Sequence, residues 1–287
     1  MSSMRDIKQR IANVSSTKQI IKAMDMIAST KLHKAKAQLE GVRPIYRELK
    51  RIVEELGRLE DVQNHVFYQE REIKNSLYIV LTSDQGFSGG YNANIMKTAL
   101  EHMNQGKNEK ILVVGSKGYE YFKKMRKNII RKVVDVADSQ VYYGSESIAK
   151  WLLELYLSGE ADEVFIAYTH FENVLNHIPY VQKVLPISTD NTDRIYESAM
   201  KYEQGLDTFI DHLIPLYLHM KLFRAYSESH TSEQAARMIS MDAAGKNASE
   251  MIEDLTRLYN RKRQAAITQE LSEIVGSANI LNKGGTT

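Results

Sequence analysis

Apolar residues open this chain in alternating steps of three and four: Met4, Ile7, Ile11, Val14, Ile21, Ala28, Leu32, Ala35, Leu39, Val42, Tyr46, Leu49, Val53 and Leu56. Polar residues interrupt the walk only at Lys18 and Asp25. A rhythm kept up this long is the seam of a helix that packs along another helix. A helix over residues 1–58 would run ~80 Å at ~1.5 Å per residue, longer than one globular domain needs, so its partner must come from elsewhere in the chain. Pro44 removes a hydrogen bond and clashes with the preceding turn, and Gly41 lies close by, so a break or kink is expected there. Residues 59–74 read as a polar connection.

The middle of the chain differs in kind. Leu77–Thr82 is a short apolar run of strand length, followed by the turn-rich SDQGFSGGYN. Asn94–Gln105 reads as helix, Lys110–Gly115 as a buried strand, Tyr119–Lys127 as helix and Ile129–Val136 as a third strand. Glu146–Leu157 is an amphipathic helix, and Glu163–Thr169 and Tyr180–Ile187 are further strands. Strands alternating with helices imply a largely parallel sheet covered on both faces, here over roughly 75–190.

The helical period returns at Asp207, with Pro215 in its early part. One seam contains Met241, Ala244, Ala248, Met251, Leu255 and Leu258. A second, out of phase, contains Ile267, Leu271, Ile274, Ala278 and Leu281, and the change falls in Tyr259–Ala266. Only the two terminal helices are long enough to cover each other. The expected fold is therefore α/β plus a long antiparallel coiled coil: a shaft of 1–58 paired with 207–282, and a doubly wound, Rossmann-like module over 75–190 on its side.

Composition narrows the chemistry. The 287 residues contain no cysteine, which excludes disulfides and thiolate metal sites. The expected compartment is reducing and aqueous; MSSMRDIKQR enters charged helix without an apolar signal core, and no apolar run approaches a membrane span. Net charge is only +2, yet residues 1–36 carry eight bases against Asp6 and Asp25. That basic face reads either as a grip on nucleic-acid phosphates or as a solvated helix face. Glycines 86, 89 and 90 follow a strand and precede a helix, but their spacing matches no phosphate-binding motif, and Gly115-Ser-Lys-Gly118 is similarly incomplete; tight turns explain both better. Lys18 and Asp25 are either a salt-linked register device or residues beyond the partner helix's end. Arg261, Lys262, Arg263 and Gln264 make a polar break in the C-terminal seam. The eight histidines form no zinc pair and no nucleophile–base pair.

Four segments together resemble the gamma subunit of the rotary F-type ATP synthase, bacterial type. IKQRIANVSSTKQIIKAMDMIASTKLHKAK (7–36) is similar to that family's N-terminal helix. SEQAARMISMDAAGKNASEMI (232–252) and YNRKRQAAITQELSEIVGSA (259–278) are similar to its C-terminal helix, and TSDQGFSGGYNANI (82–95) to its loop after the first strand. There are departures: Ser88 stands where cysteine or alanine is frequent, Glu197-Ser198-Ala199 replaces Glu-Pro-Ser, and the chloroplast-type redox insert is absent.

The resemblance implies a non-catalytic central rotor that couples ion-driven turning of a membrane c-ring to ATP synthesis or hydrolysis. Its partners would be three alpha and three beta subunits of a catalytic head, the epsilon subunit and the c-ring. ATP, ADP and Mg would be bound by alpha and beta, with no cofactor in this chain, no nucleic acid and no direct membrane span. The implied location is peripheral, on the cytoplasmic face of a bacterial membrane. By matching position, Arg263, Gln264, Thr268 and Glu270 would make the family's catch contacts with a beta-subunit loop. Lys18, Lys22 and Met24 would face the head, the basic helix would slide past acidic beta-subunit loops, and Tyr196 and Glu197 would meet epsilon or the c-ring. Two other functions stay in competition on the residues alone: a nucleotide-binding α/β enzyme and a basic coiled-coil protein that binds nucleic acid.

Overall fold

The computed structural model describes residues 3–103, 108–188 and 205–283, with backbone alone at 138 and 276–283. Two helices dominate it: α1, Met4–Leu56, and α6, Leu206–Lys283. Between them lie α2 (Glu60–Gln63), β1 (Ser76–Leu81), α3 (Tyr91–Met103), β2 (Lys110–Val114), α4 (Ser116–Lys124), β3 (Ile129–Val133), α5 (Val141–Leu157), β4 (Glu163–Phe171) and β5 (His177–Leu185). Contacts divide the chain into two compact units, Met1–Ile27 with Met238–Thr287, and Ala28–Arg237. The division falls within both long helices rather than at their ends, so residues 28–58 and 207–237 share a unit with the sheet.

The expected break at Pro44 does not occur: α1 is continuous over 53 residues. Glu40, Gly41 and Pro44 all lie on the exposed face, where water can satisfy the carbonyl that proline leaves without a donor. Meanwhile Leu39, Val42, Tyr46, Val53 and Leu56 are buried along the seam, as the three-four walk requires. Each such side chain contributes roughly 1.5–3 kcal/mol by leaving water, enough together to carry the helix past one lost bond.

In the larger unit the sheet runs in the order β3-β2-β1-β4-β5. The first four strands are parallel, and β5 is antiparallel to β4. The four residues of turn from Glu172 to Leu175 and the adjoining Asn176 are too few for a crossover, so the chain must double back as a hairpin. Alternation in β1 sorts its side chains onto two faces. Leu77, Ile79 and Leu81 join Leu112, Val114 and Ile166 in a core shared with α5 and both long helices. Tyr78 and Val80 join Ile111, Val113 and Ala167 in a second core under α3 and α4.

Residues 59–74 are less polar in role than expected. Val62, Phe67 and Tyr68 are buried there. The Tyr68 hydroxyl donates to the Val53 carbonyl at 2.9 Å, and the Ile187 amide donates to the Phe67 carbonyl at 2.7 Å. The connection thus seals the end of α1 rather than bridging through solvent.

Candidate functional site

In the smaller unit α1 and α6 run antiparallel. Asp6 feels the charge of Lys262, and Ile21 lies against Gly245, where an added Cβ would stand 3.7 Å from the Ile21 Cγ2. Ser3 and Asp6 close the first turn of α1 reciprocally: the Ser3 amide donates to Asp6 Oδ2 at 2.8 Å and the Asp6 amide to Ser3 Oγ at 3.2 Å. The Ser3 amide and then the Ser3 hydroxyl, with a lesser pull from Lys262, hold the Asp6 carboxyl below the usual carboxylate range.

The α6 seam differs from the expected one. Met241 and Ala248 are buried, and Ile252, Leu255, Tyr259, Lys262 and Ala266 follow in half-buried positions. Met251 and Leu258, placed on the seam by periodicity, are 47% and 40% exposed. The three-four rhythm passes through Tyr259–Ala266 without a change of phase, because Lys262 fills a seam position and can lay its aliphatic stem along the partner. Ile267, Leu271 and Ile274 form a separate stripe, 47%, 58% and 63% exposed. The first turn of α1 already faces Lys262, so the later turns of α6 have no turn of α1 against them.

Arg263, Gln264, Thr268 and Glu270 are all exposed at this place. Thr268 donates its hydroxyl to the Gln264 carbonyl at 2.9 Å. Among the described residues, the side chains of Arg263, Gln264 and Glu270 have no hydrogen-bond or ion-pair partner. On α1, Lys22 is exposed, while Lys18 and Met24 are half-buried on the seam. Among the described residues Lys18 and Asp25 make no ion pair, with each other or with α6, so they are not a salt-linked register device. Nor do they lie beyond the partner, since Ile21 between them packs on α6. Tyr196 and Glu197 lie outside the described residues. Ile20, Met26 and Ile27, at 58–63% exposed, form an outward apolar patch that the seam walk passed over; the seven-residue step from Ile20 to Ile27, off the seam, was its only signal.

In the larger unit the crevice that a doubly wound sheet offers to ligands lies where strand order reverses, beyond the carboxyl ends of β1 and β4. Here α6 occupies it. Ser229 Oγ accepts from the Thr169 amide at 3.4 Å and pairs with the Tyr91 hydroxyl at 2.7 Å. Ser232 donates to the Thr169 carbonyl at 3.3 Å. Arg237 donates to the carbonyls of Gln85 and Gly86, both at 3.3 Å, and pairs with Glu233 at 2.6 Å. The N-terminus of α4 is also taken, because Asp84 accepts from the Ser116 amide at 2.8 Å and the Ser116 hydroxyl at 2.9 Å. Gly115 has φ +95, and a Cβ there would come within 2.3 Å of the Thr82 carbonyl oxygen; at Gly118 it would lie 2.6 Å from Thr82 Oγ1. These glycines let α4 close onto the end of β1, so the incomplete glycine motif has a packing cause.

Comparison with known proteins shows the family. The family model described as ATP synthase matches residues 3–281. The ATP synthase gamma chain of Moorella thermoacetica is 38% identical over 98% of this chain and 100% of its own length. That of Alkaliphilus metalliredigens is 37% identical over 97% of this chain and 98% of its own length.

The chain belongs to the ATP synthase gamma-chain family.

A sodium-ion-specific gamma chain from Acetobacterium woodii is 35% identical over 97% of this chain and 98% of its own length. In fold, a chain in the mitochondrial ATP synthase of Euglena gracilis, solved as OSCP/F1/c-ring in rotational state 3, superposes with a TM-score of 0.70 at 17% identity, covering 99% of this chain and 96% of that one. As a gamma chain the protein is a central-stalk subunit and not itself the catalyst. Among the described residues no helix is long and apolar enough to cross a membrane, and no cluster of histidine, aspartate and glutamate could hold a metal ion.

Proposed function

We propose that the gamma-chain role is carried out by the arrangement at 263–274: a helix that has outrun its partner offers bare polar groups and an apolar stripe to a surrounding head. The observation that supports this most is that, among the described residues, Arg263, Gln264 and Glu270 have no side-chain partner of their own just where α1 ceases to cover α6. Arg263 offers a planar fork suited to a carboxylate or carbonyl loop of a beta subunit. Lys22 and the outward patch of Ile20 and Ile27 offer a second exposed surface further along α1, near the turn of α6 at Gly245, with Lys18 and Met24 beside it on the seam.

Three alpha and three beta subunits would surround the helix pair, while epsilon and the c-ring would meet the chain through the region of Tyr196 and Glu197. The complex would sit peripherally at the cytoplasmic face of a bacterial membrane. Screened charge contacts between the basic face of α1 and acidic loops suit a rotor, because they exchange with little barrier. ATP, ADP and Mg belong on alpha and beta in this reading. It is supported by the crevice filled with α6 and by the α4 N-terminus already holding Asp84, both of which also weigh against a nucleotide enzyme.

The test is reconstitution. The purified chain alone should turn over no ATP, and with alpha and beta it should co-purify as one copy to three of each, with hydrolysis restored. Turnover by the chain alone, or an equimolar complex, would contradict the proposal.

A further inference from the structure

The larger unit contains a buried carboxylate that the foregoing function does not use. Glu228 on α6 has a side chain 1% exposed, and both of its oxygens are engaged by three different elements. Oε1 accepts from Arg224 Nε on its own helix at 3.1 Å and lies 3.5 Å from the Arg43 guanidinium of α1. Oε2 lies 2.6 Å from His170 Nδ1 on β4. The cations reach further. Arg43 donates to the Phe171 carbonyl at 2.7 Å, binding α1 to the end of β4. Arg224 stands 4.5 Å over the Tyr46 ring of α1 and donates to the Tyr168 hydroxyl at 3.3 Å.

Apolar surfaces between helices permit sliding and axial rotation at small cost, because their attraction is not directional. Charge-assisted bonds fix both distance and angle. A buried ion cluster is also poor evidence for stability, since desolvation opposes its attraction; its better-attested use is to set register. We propose that Glu228 is a positioning residue, a pin that holds α1, α6 and β4 in one rotational register, so that torque carried by the helix pair turns the sheet without slack. This rests on the rotor reading.

The experiment uses the complete, membrane-embedded complex carrying Glu228→Gln, with Glu228→Asp and the milder Arg43→Met beside it. Subunit ratio, ATP hydrolysis and ATP-driven ion transport are read together. Glu228→Gln should keep the subunit ratio and stay within about twofold of normal hydrolysis, while ions moved per ATP fall at least twofold. Glu228→Asp, which keeps the charge on a shorter stem, should recover part of the loss. Arg43→Met should show a smaller fall, and Arg43→Met with Glu228→Gln no more than the larger single effect, since both break one cluster. An unchanged transport ratio in assembled Glu228→Gln overturns the proposal. Loss of this subunit in step with activity, in Glu228→Gln and in Arg43→Met alike, overturns it too by making the cluster a folding element. Hydrolysis without transport in the unaltered complex would count against the rotor reading instead.

Discussion

Two stretches of α6 solve opposite problems with the same backbone. From Tyr217 to Arg237 the helix is buried almost all round, and its buried positions include Ser227, Glu228, Ser229, Thr231, Ser232, Gln234 and Arg237. Those polar groups are bonded to strand ends, loops and helix carbonyls, so that surface is specific and hard to shift. From Met238 to Val275 the helix buries one row, and the polar groups beyond Ala266 point outward. The held stretch ties polar residues to other elements, as Ser229 and Ser232 are tied to Thr169, whereas the hydrogen bonds of Thr268, Gln269 and Ser272 stay within α6 and leave its outward face open to a partner.

The largest expected effects come from other buried positions of the larger unit, the one that holds Tyr217–Arg237. Gly115→Ala forces a side chain into the left-handed region and onto the Thr82 carbonyl, and should cost ~3 kcal/mol in a denaturation measurement. Leu39→Ala, at a position 1% exposed, should cost a similar ~3 kcal/mol through lost burial and a cavity.

A smaller effect depends on pH. Lys221 is 6% exposed and donates to the Lys183 carbonyl at 3.0 Å, and among the described residues no carboxylate is bonded to it. Burial, with lesser repulsion from Lys50 and Arg224, lowers its pKa to about 7. The unfolded lysine titrates near 10.4, so between about 7 and 10 the unfolded state holds more protons and stability rises with pH. The slope from this residue should reach up to ~1.4 kcal/mol per pH unit, and Lys221→Met should remove it. Equal slopes in the two proteins, by chemical unfolding at pH 7, 8 and 9, would refute the assignment.

The smallest effects belong to exposed positions. Gly41 lies within α1, and an added Cβ would meet no atom within 4 Å beyond its chain neighbours and the helix's own nearby backbone, so Gly41→Ala should stabilise by ~0.5–1 kcal/mol. Leu271→Ala, 58% exposed in this chain, should change the stability of the chain alone by less than ~0.5 kcal/mol. A cost near that of Leu39→Ala would mean that Leu271 has a partner within the chain.

Periodicity made the two long helices and the strands β1, β2 and β4 legible, because burial on one seam or in a central strand writes itself into local residue order. It misplaced Met251 and Leu258, since a row of apolar residues one step away from Ile252 and Tyr259 keeps nearly the same rhythm, and only the position of α1 decides between them. Lys262 read as a polar break because a lysine stem can serve a seam position that its charge hides. The Glu228 cluster was not legible at all: its partners Arg43 and His170 lie 185 and 58 residues away, and no local pattern joins them. The exposure of 263–270 could be guessed from polarity, but its cause, the end of α1's cover, needed the antiparallel register.

The rotor role at 263–274 requires that this exposed surface carry contact with the head. Turnover of the reconstituted complex with Arg263→Ala or Gln264→Ala, measured alongside subunit ratio, tests it most directly. A charge-assisted contact is worth roughly 1.5–3 kcal/mol, so synthesis and hydrolysis should fall about tenfold or more while this chain stays folded and assembled. Arg263→Lys should recover only part, because an ammonium does not reproduce the planar fork. Normal coupled rates in both alanine variants would remove these residues from the mechanism, and loss of assembly in proportion to rate would make them structural.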